Sequence, residues 1–395
     1  MEPQKLEKRL QTLDKIVWVN LIILALGLIF SLGIAQAVII FMTIVFVYRI
    51  YLSPKKDFKL TFLDYAVIAF FLTRLISIPV SIDIGVSVGS LRKTPFFIMT
   101  YFVVSRSLLN LKKESLKKLV QYFLIAAVIV SVYGITKYLL GIQTRVTSTA
   151  SGYTTLAIFL SAVFSVSLGA GMYFNLLKNK YYWLGSLGFM LICLALTFAR
   201  AQWLATFFVV FLVGVIKNRK ILPISLGIVI LLLLVSPNLR NRAMSLTDPI
   251  KNSSERTTIY KGAWQIFPNH FWFGHGIGSF HKIFPLKHEM VDQKIGRWHN
   301  DYLQAYMESG VFGLSIFLFL IFAIYKTGIR LFRKLEDETQ LEQKGLIFGI
   351  LLALTTFFIQ GVASGFFGDP VSSILFWFFM GSLGFVAAEG ENKIN

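Results

Sequence analysis

The sequence is poor in charge and almost devoid of cysteine, and each deficit excludes a class of protein. Charged residues make up 15% of its 395 residues, whereas an average soluble domain carries roughly 25%, so an ordinary cytosolic enzyme is excluded. The single cysteine, Cys193, excludes a disulfide framework and a cysteine-based zinc site. The apolar runs are long and unbroken, which excludes a membrane barrel, whose strands alternate over segments of about ten residues.

Apolar residues are abundant instead: 55% of the chain is hydrophobic, with 38 phenylalanines and a mean hydropathy of +0.67. A membrane-spanning helix needs about 20 mostly apolar residues. We therefore predict an all-α, polytopic membrane protein with about twelve transmembrane helices. These helices are expected near 16–31, 34–50, 60–79, 95–110, 119–140, 154–177, 181–199, 201–216, 221–236, 303–325, 345–364 and 371–388.

The predicted spans divide the chain into three parts. Residues 1–236 hold the first nine spans behind a basic, amphipathic N-terminal segment, which lacks a cleavage site and is expected to lie on the cytoplasmic surface. Residues 237–302 form one long loop, and residues 303–395 hold the last three spans and the C-terminus. Within the loop, an amphipathic stretch from Ser254 to Phe267 predicts a short helix capped by Ser253 or Ser254.

Lysine and arginine concentrate in alternate short loops, and short loops rich in these residues face the cytoplasm. This pattern predicts that both termini are cytoplasmic and that 237–302 lies on the outer face of the membrane. The net charge of +19 then reflects orientation in the membrane, and no nucleic-acid partner is expected. The basic residues that carry the pattern include Lys5, Lys8, Arg9, Lys15, Lys117, Lys118, Lys178, Lys180, Lys217, Arg219, Lys220, Arg330, Arg333, Lys334 and Lys344.

Several cations are predicted to lie at the outer ends of the spans. Ionisable residues at membrane depth are costly, so each is a functional candidate; the alternative is that their side chains extend to the nearer interface as anchors. The guanidinium group of arginine binds phosphate oxygens in pairs, so a basic cleft here would suit a lipid-linked diphosphate. The cations are Arg74, Lys137 and Arg200 in helices, and Arg145, Arg256 and Arg297 in outer loops.

The stretch RWHNDYLQAYMESGVFGL, residues 297–314, is the strongest local signal. His299 lies just before a span and could act as a general base, because an imidazole titrates near neutral pH; a surface histidine without a role is the alternative. Asn300 or Asp301 could cap the helix, and Glu308 falls at membrane depth. Tyr302, Tyr306 and Ser309 would extend the face of His299 at helical spacing. The histidines lack metal-type spacing, so no metal or other cofactor is expected.

These elements follow one another in a recognisable order. FARAQW ends a span, SSER-x-x-x-Y-x-x-A-W and G-x-G-x-G-x-F follow in the outer loop, and HNDYLQAYMESGVFGL opens the next helix. Over residues 190–320 this order resembles the O-antigen ligase and polymerase superfamily. The stretch TSTASGYTTLA, residues 147–157, also resembles a loop of that family.

The resemblance implies a GT-C-like, metal-independent, inverting glycosyltransferase. Its donor would be a glycan on undecaprenyl diphosphate and its acceptor the lipid A core, in the outer leaflet of the bacterial inner membrane, so that the site would face the periplasm. The resemblance places the catalytic histidine at His299 and the two diphosphate-binding arginines at Arg200 and Arg256. Supporting candidates are Arg74, Lys137, Arg145, Asp301, Tyr302 and Glu308, together with Trp264, Trp272 and Trp298, which could stack on sugars or anchor the interface.

Three other functions stay open at this point. An O-antigen polymerase would use the same donor with a growing glycan as acceptor. A transporter or lipid flippase would place charges near the bilayer midplane and show inverted repeats, whereas the charges here collect at one face. A lipid-binding protein without activity would need the arginines but would have no use for His299.

Overall fold

The computed structural model describes residues 3–52, 60–91, 93–111, 114–147, 152–235, 237–244, 255–292, 295–335, 337 and 340–392. Within these ranges every regular element is helical. The helices are α1 (Pro3–Gly27), α2 (Leu32–Leu52), α3 (Phe62–Ile76), α4 (Ile84–Leu91), α5 (Lys93–Leu108), α6 (Ser115–Leu139), α7 (Tyr153–Gly171), α8 (Lys180–Leu196), α9 (Arg200–Ile216), α10 (Ile221–Val235), α11 (Pro237–Met244), α12 (Arg256–Ile266), α13 (Phe280–Ile283), α14 (Asp301–Lys334), α15 (Leu341–Gly361) and α16 (Pro370–Asn392).

Each of the twelve predicted spans coincides with one helix, and the protein is a polytopic helical membrane protein. Seven helices of the described residues are long and apolar enough to cross a membrane: α1, α2, α6, α7, α14, α15 and α16. The others at predicted spans, α3, α5, α8, α9 and α10, are shorter, so the number of twelve crossings stays a prediction. The N-terminal segment differs from expectation: it is continuous with the first span, because α1 runs unbroken from Pro3 to Gly27.

The bundle is held together by three main helix pairs, α7 with α15, α5 with α16, and α3 with α14. Small residues allow the closest of these crossings. A Cβ atom on Gly169 of α7 would lie 2.5 Å from the Cα atom of Gly349 on α15. Lipid tails are as apolar as the helix surfaces, so the hydrophobic effect does not drive helices together within the membrane. Close approach of the two backbones stabilises the pair instead, because it increases van der Waals contact. Both helices are accordingly buried over most of their length.

One buried ion pair joins α3 to α5 at their predicted cytoplasmic ends. Asp64 accepts hydrogen bonds from Arg106 at 2.5 Å and from the hydroxyl of Tyr101 at 2.7 Å. Asp64 also completes a capping box with Thr61 at the start of α3. Because all its partners lie on these two helices, we assign this buried charge to fold stability rather than to the functional site.

The outer loop docks on α14 at a break in that helix. Gly310 has φ 65° and ψ −162°, which interrupts the helical hydrogen bonds. The carbonyl oxygens of Met307 and Glu308 are thereby free to accept the amides of His275 at 2.8 Å and Gly276 at 3.1 Å. Position 274, directly before these two amides, requires glycine as well. A Cβ atom on Gly274 would lie 2.5 Å from the amide nitrogen of Gly310. The two glycine-containing motifs of the sequence thus form one contact.

Candidate active site at the outer end of the bundle

His299 occupies a sharp reversal of the chain between the outer loop and α14. Its φ of 51° is left-handed, a conformation in which histidine is enriched among non-glycine residues. Trp298 on one side is fully buried, with its ring 4.8 Å from that of Phe280 in an edge-to-face contact. Asn300 on the other side caps α14, because its side-chain oxygen accepts the amides of Tyr302 and Leu303 at 3.0 Å. The flanking residues therefore hold His299 in place.

The half-buried imidazole of His299 is kept neutral by its surroundings. Burial has the largest effect, and the positive charges of Arg297 and Arg256 add to it, so that the pKa falls to about 4. The sequence predicted a base that titrates near neutrality, and the structure corrects this. At neutral pH the free protein holds His299 almost entirely as the imidazole that can accept a proton.

Four arginines from separate elements interact with one another electrostatically, and one of them, Arg256, also acts on His299. Arg200 is the first residue of α9, Arg256 the first residue of α12, Arg242 lies on α11, and Arg145 precedes α7. Burial lowers the pKa of Arg242, and the charges of Arg200 and Arg145 lower it further. Burial is also the main cause of the lowered pKa of Arg256, on which the charge of Arg242 acts as well. We call these residues the arginine cluster.

Aromatic and backbone groups position the arginine cluster. The guanidinium carbon of Arg145 lies 5.0 Å from the ring centroid of Tyr153, and the Nε group of Arg242 donates to the carbonyl of Phe198 at 3.2 Å. The Nε atom of Arg256 is buried and has no hydrogen-bond partner within the described ranges. A buried guanidinium N–H group without a partner is costly, so an oxyanion bound here would satisfy it.

Asp301 connects His299 to the turn between α15 and α16. It is fully buried, and its carboxylate accepts the amides of Phe366 at 2.8 Å and Phe367 at 3.2 Å. The hydroxyl of Tyr260 donates to the carbonyl of Val362 at the beginning of the same turn, at 3.1 Å. These bonds tie α12, α14 and the 362–369 turn together around His299.

Arg74 and Glu308 pair on the other side of the start of α14. The Nη2 atom of Arg74 lies 2.5 Å from Oε2 of Glu308. The other carboxylate oxygen accepts the amide of Gly278 at 3.0 Å and the side chain of Gln304 at 3.2 Å. Arg74 is therefore engaged inside the protein and is not an interfacial anchor.

The other sequence candidates have contacts that do not involve the imidazole of His299. Lys137 interacts with Tyr133, one turn earlier in its own helix, at 3.3 Å. Trp264 is 76% exposed, whereas Trp298 is fully buried and so has no face open to a sugar; we assign Trp298 to packing. The hydroxyl of Tyr302 donates to the carbonyl of Phe358 on α15. The predicted common face with His299 is wrong for a physical reason: His299 is not helical, and α14 begins only at Asp301.

One residue of the site was absent from the sequence prediction, and one prediction could not be checked. Arg242 joins the site without any sequence pattern that marks it, whereas Tyr260 is the tyrosine of the SSER-x-x-x-Y-x-x-A-W element. The predicted caps Ser253 and Ser254 lie outside the described residues, and α12 begins at Arg256 directly after Glu255. Among the residues that the structure describes, no group of three or more histidine, cysteine, aspartate or glutamate side chains is placed to hold a metal ion.

Comparisons with known proteins bear on the resemblance noted in the sequence. Residues 185–318 match the family model described as O-antigen ligase, which confirms the resemblance over the segment that contains Arg200, Arg256 and His299. The chain is also 28% identical, over 143 residues, to the teichuronic acid biosynthesis protein TuaE of Bacillus subtilis (strain 168). That match covers 34% of this chain and 27% of the relative's length.

Proposed function

We propose that the protein is an inverting, metal-independent O-antigen ligase. It transfers a glycan from undecaprenyl diphosphate to a hydroxyl of the lipid A core on the periplasmic face of the bacterial inner membrane. The observation that carries the proposal is the position of His299 beside the arginine cluster, where burial and two arginine charges keep the imidazole neutral. A neutral base next to an anion-binding cluster is what transfer from a sugar diphosphate requires.

The arginine cluster binds the donor in this proposal. A diphosphate carries oxygens on two phosphorus atoms, and paired guanidinium N–H groups fit them geometrically. Arg200 and Arg256 hold the diphosphate, while Arg145 and Arg242 add positive charge to the same place. As the bond from the anomeric carbon to the phosphate oxygen breaks, its electron pair goes to the diphosphate, and the arginines stabilise this charge.

His299 activates the acceptor. The acceptor hydroxyl oxygen forms a bond to the anomeric carbon from the side opposite the leaving diphosphate, which inverts the configuration. Its proton passes to the neutral imidazole. The product diphosphate carries enough charge to leave without a general acid, so one base is sufficient. The proton then leaves His299 to solvent, which restores the starting state.

An O-antigen polymerase is the second candidate, since the family match does not separate a ligase from a polymerase that uses the same donor. The test is transfer in liposomes that contain the purified protein and a glycan on undecaprenyl diphosphate. Lipid A core is the acceptor in one sample, and a second lipid-linked repeat is the acceptor in the other. Product with lipid A core alone supports the ligase; product with the lipid-linked repeat alone supports the polymerase. Absence of both products, or equal rates with a His299→Ala variant, would refute glycosyl transfer at this site.

A further inference from the structure

A separate cavity of about 230 Å³ lies beside the start of α14, and none of the four arginines of the arginine cluster lines it. Its lining residues come from α3, α4, α5, α14 and α16, from the outer loop and from the turn after α15. Its wall contains polar side chains, which are rare in the interior of a membrane bundle and mark ligand or ion sites when they occur. The polar residues are Arg74, Ser90, Arg297, Gln304, Glu308 and Ser373.

One of these polar groups lacks a partner. The Ser373 side chain is 1% exposed, and its hydroxyl oxygen has no hydrogen-bond partner in the part of the chain that is described. Burial of a hydroxyl without a partner is unfavourable. Because Ser373 lines the cavity, a ligand with hydroxyl groups would satisfy it.

The remaining wall is aromatic. Phe70, Phe367 and Trp377 face the cavity. Hydroxyl-binding groups beside aromatic rings suit a sugar, which has polar edges and an apolar C–H face. Within this wall, the Arg74 charge is paired with Glu308. The volume is below the roughly 300–1,000 Å³ of pockets for drug-sized molecules, which restricts the ligand to about one sugar ring.

Arg297 relates this cavity to His299. Its side chain lines the cavity and packs against Gly368, where an added Cβ atom would lie 3.1 Å from its Cδ and Nη1 atoms. The charge of Arg297 also acts on His299, as does that of Arg256 from the arginine cluster. Arg297 is also two residues from His299 in the sequence, so the cavity wall adjoins the segment that carries the base.

From this arrangement we propose that the cavity binds the acceptor sugar, with Ser373 and Gln304 holding its hydroxyl groups and the half-buried ring of Phe367 against its apolar face. The inference rests on the proposed function, because it assigns the second substrate of that reaction. It places the donor diphosphate at the arginine cluster and the acceptor in the cavity, with Arg297 of the cavity wall two residues from the base.

The first arm of the test uses free hexoses as probes of the cavity. Purified protein in lipid nanodiscs is titrated with glucose, galactose or N-acetylglucosamine while tryptophan fluorescence is recorded. We expect a saturable change that Trp377→Phe removes and that Ser373→Val, which narrows the cavity, greatly weakens. Ser382→Ala is the matched control: this serine is buried on the same helix, but its hydroxyl already donates to the carbonyl of Phe378 at 2.9 Å, so titration should be unchanged.

The second arm measures transfer kinetics. Ser373→Ala removes a single hydrogen bond, so the KM for the acceptor should rise about tenfold, while the KM for the donor and the kcat stay near those of the natural sequence. A purely structural role for Ser373 would alter both KM values or the kcat.

Undecaprenyl diphosphate binding to the same samples separates the two proposals. If it binds in a manner dependent on Arg256, but no hexose gives a saturable change, or Ser373→Val titrates like the unaltered protein, the acceptor assignment alone is overturned. If undecaprenyl diphosphate does not bind, the proposed function fails. Undecaprenyl diphosphate binding combined with a hexose response that requires Trp377 and Ser373 supports both.

Discussion

The imidazole of His299 lies within the electrostatic field of the Arg256 guanidinium group. Burial of His299 is the largest influence on its pKa, followed by the charges of Arg297 and then Arg256, and together they lower it to about 4. A bound diphosphate would offset the charge of Arg256. The pKa of His299 should therefore rise when the donor binds, which makes the imidazole a stronger base only in the complex that reacts.

The pH dependence of transfer follows from this coupling. The acid limb of kcat/KM reports the free enzyme and should have its midpoint near the pKa of about 4, whereas the acid limb of kcat reports the bound complex and should lie at higher pH. Activity falls as pH decreases in both profiles, because protonated His299 cannot accept a proton. The measurement is the initial rate in liposomes at several pH values and donor concentrations.

Two variants complete this test. His299→Gln should be slower by about 10²–10⁴-fold, since an amide cannot take up the proton, and it should still bind undecaprenyl diphosphate. The base would have to be another group if the acid limbs of kcat/KM and kcat coincided near the ordinary imidazole pKa. The same conclusion would follow from a substantially active His299→Gln protein.

Substitutions in the arginine cluster should weaken donor binding, and alanine should weaken it more than lysine. Arg256→Ala removes the guanidinium group that is proposed to bind two phosphate oxygens. Binding of undecaprenyl diphosphate should weaken by about 10–100-fold, which corresponds to the free energy of a hydrogen bond to a charged group. Arg256→Lys should recover only part of this loss, because an ammonium group lacks the planar fork. Arg200→Lys should behave in the same way. Binding is measured with radiolabelled lipid on protein in nanodiscs.

Lys137 supplies the matched control for these variants. It is a basic residue at the same predicted end of the bundle, but its contacts are with Tyr133 on its own helix. Lys137→Ala should therefore bind the lipid like the natural sequence. An equal loss in Lys137→Ala and Arg256→Ala would mean that only the net surface charge attracts the lipid.

Gly310 should tolerate no side chain. Its φ of 65° and ψ of −162° are almost confined to glycine, and a Cβ atom would collide with the backbone of Trp272. Gly310→Ala should lower the thermal unfolding temperature and the transfer rate together, with a cost of at least about 1–3 kcal/mol. Gly185→Ala is the control, because nothing lies within 4 Å of its Cβ position. A Gly310→Ala protein that melts and acts normally would show that the loop does not depend on this break.

The sequence predicts the helices well because lipid imposes long apolar segments on the chain, and all twelve predicted segments are helical. His299, Arg200 and Arg256 could be selected because their neighbouring motifs are distinctive. Arg242 could not, since the loop around it has no periodic pattern and its role depends on the folding of α11 onto Phe198. The break at Gly310 was equally hidden: MESGVFGL has the pattern of a continuous helix, and the partner that replaces its hydrogen bonds is more than 30 residues away in sequence, as in the pair His275 and Met307.

The last prediction concerns the orientation of the helix bundle in the membrane. Exposed residues at its two ends allow this orientation to be measured by thiol labelling. The charge pattern of the short loops places the outer loop in the periplasm. Cys193 is buried, and a Cys193→Ser background removes its thiol from the labelling experiment. In that background, His270→Cys, which replaces an exposed residue of the outer loop, should react with an impermeant thiol reagent in cells whose inner membrane is intact. Tyr181 is 81% exposed at the start of α8, at the opposite predicted face, so Tyr181→Cys should react only after the inner membrane is opened. The reverse pattern would place His299 and the arginine cluster in the cytoplasm, where the proposed periplasmic acceptor could not reach them.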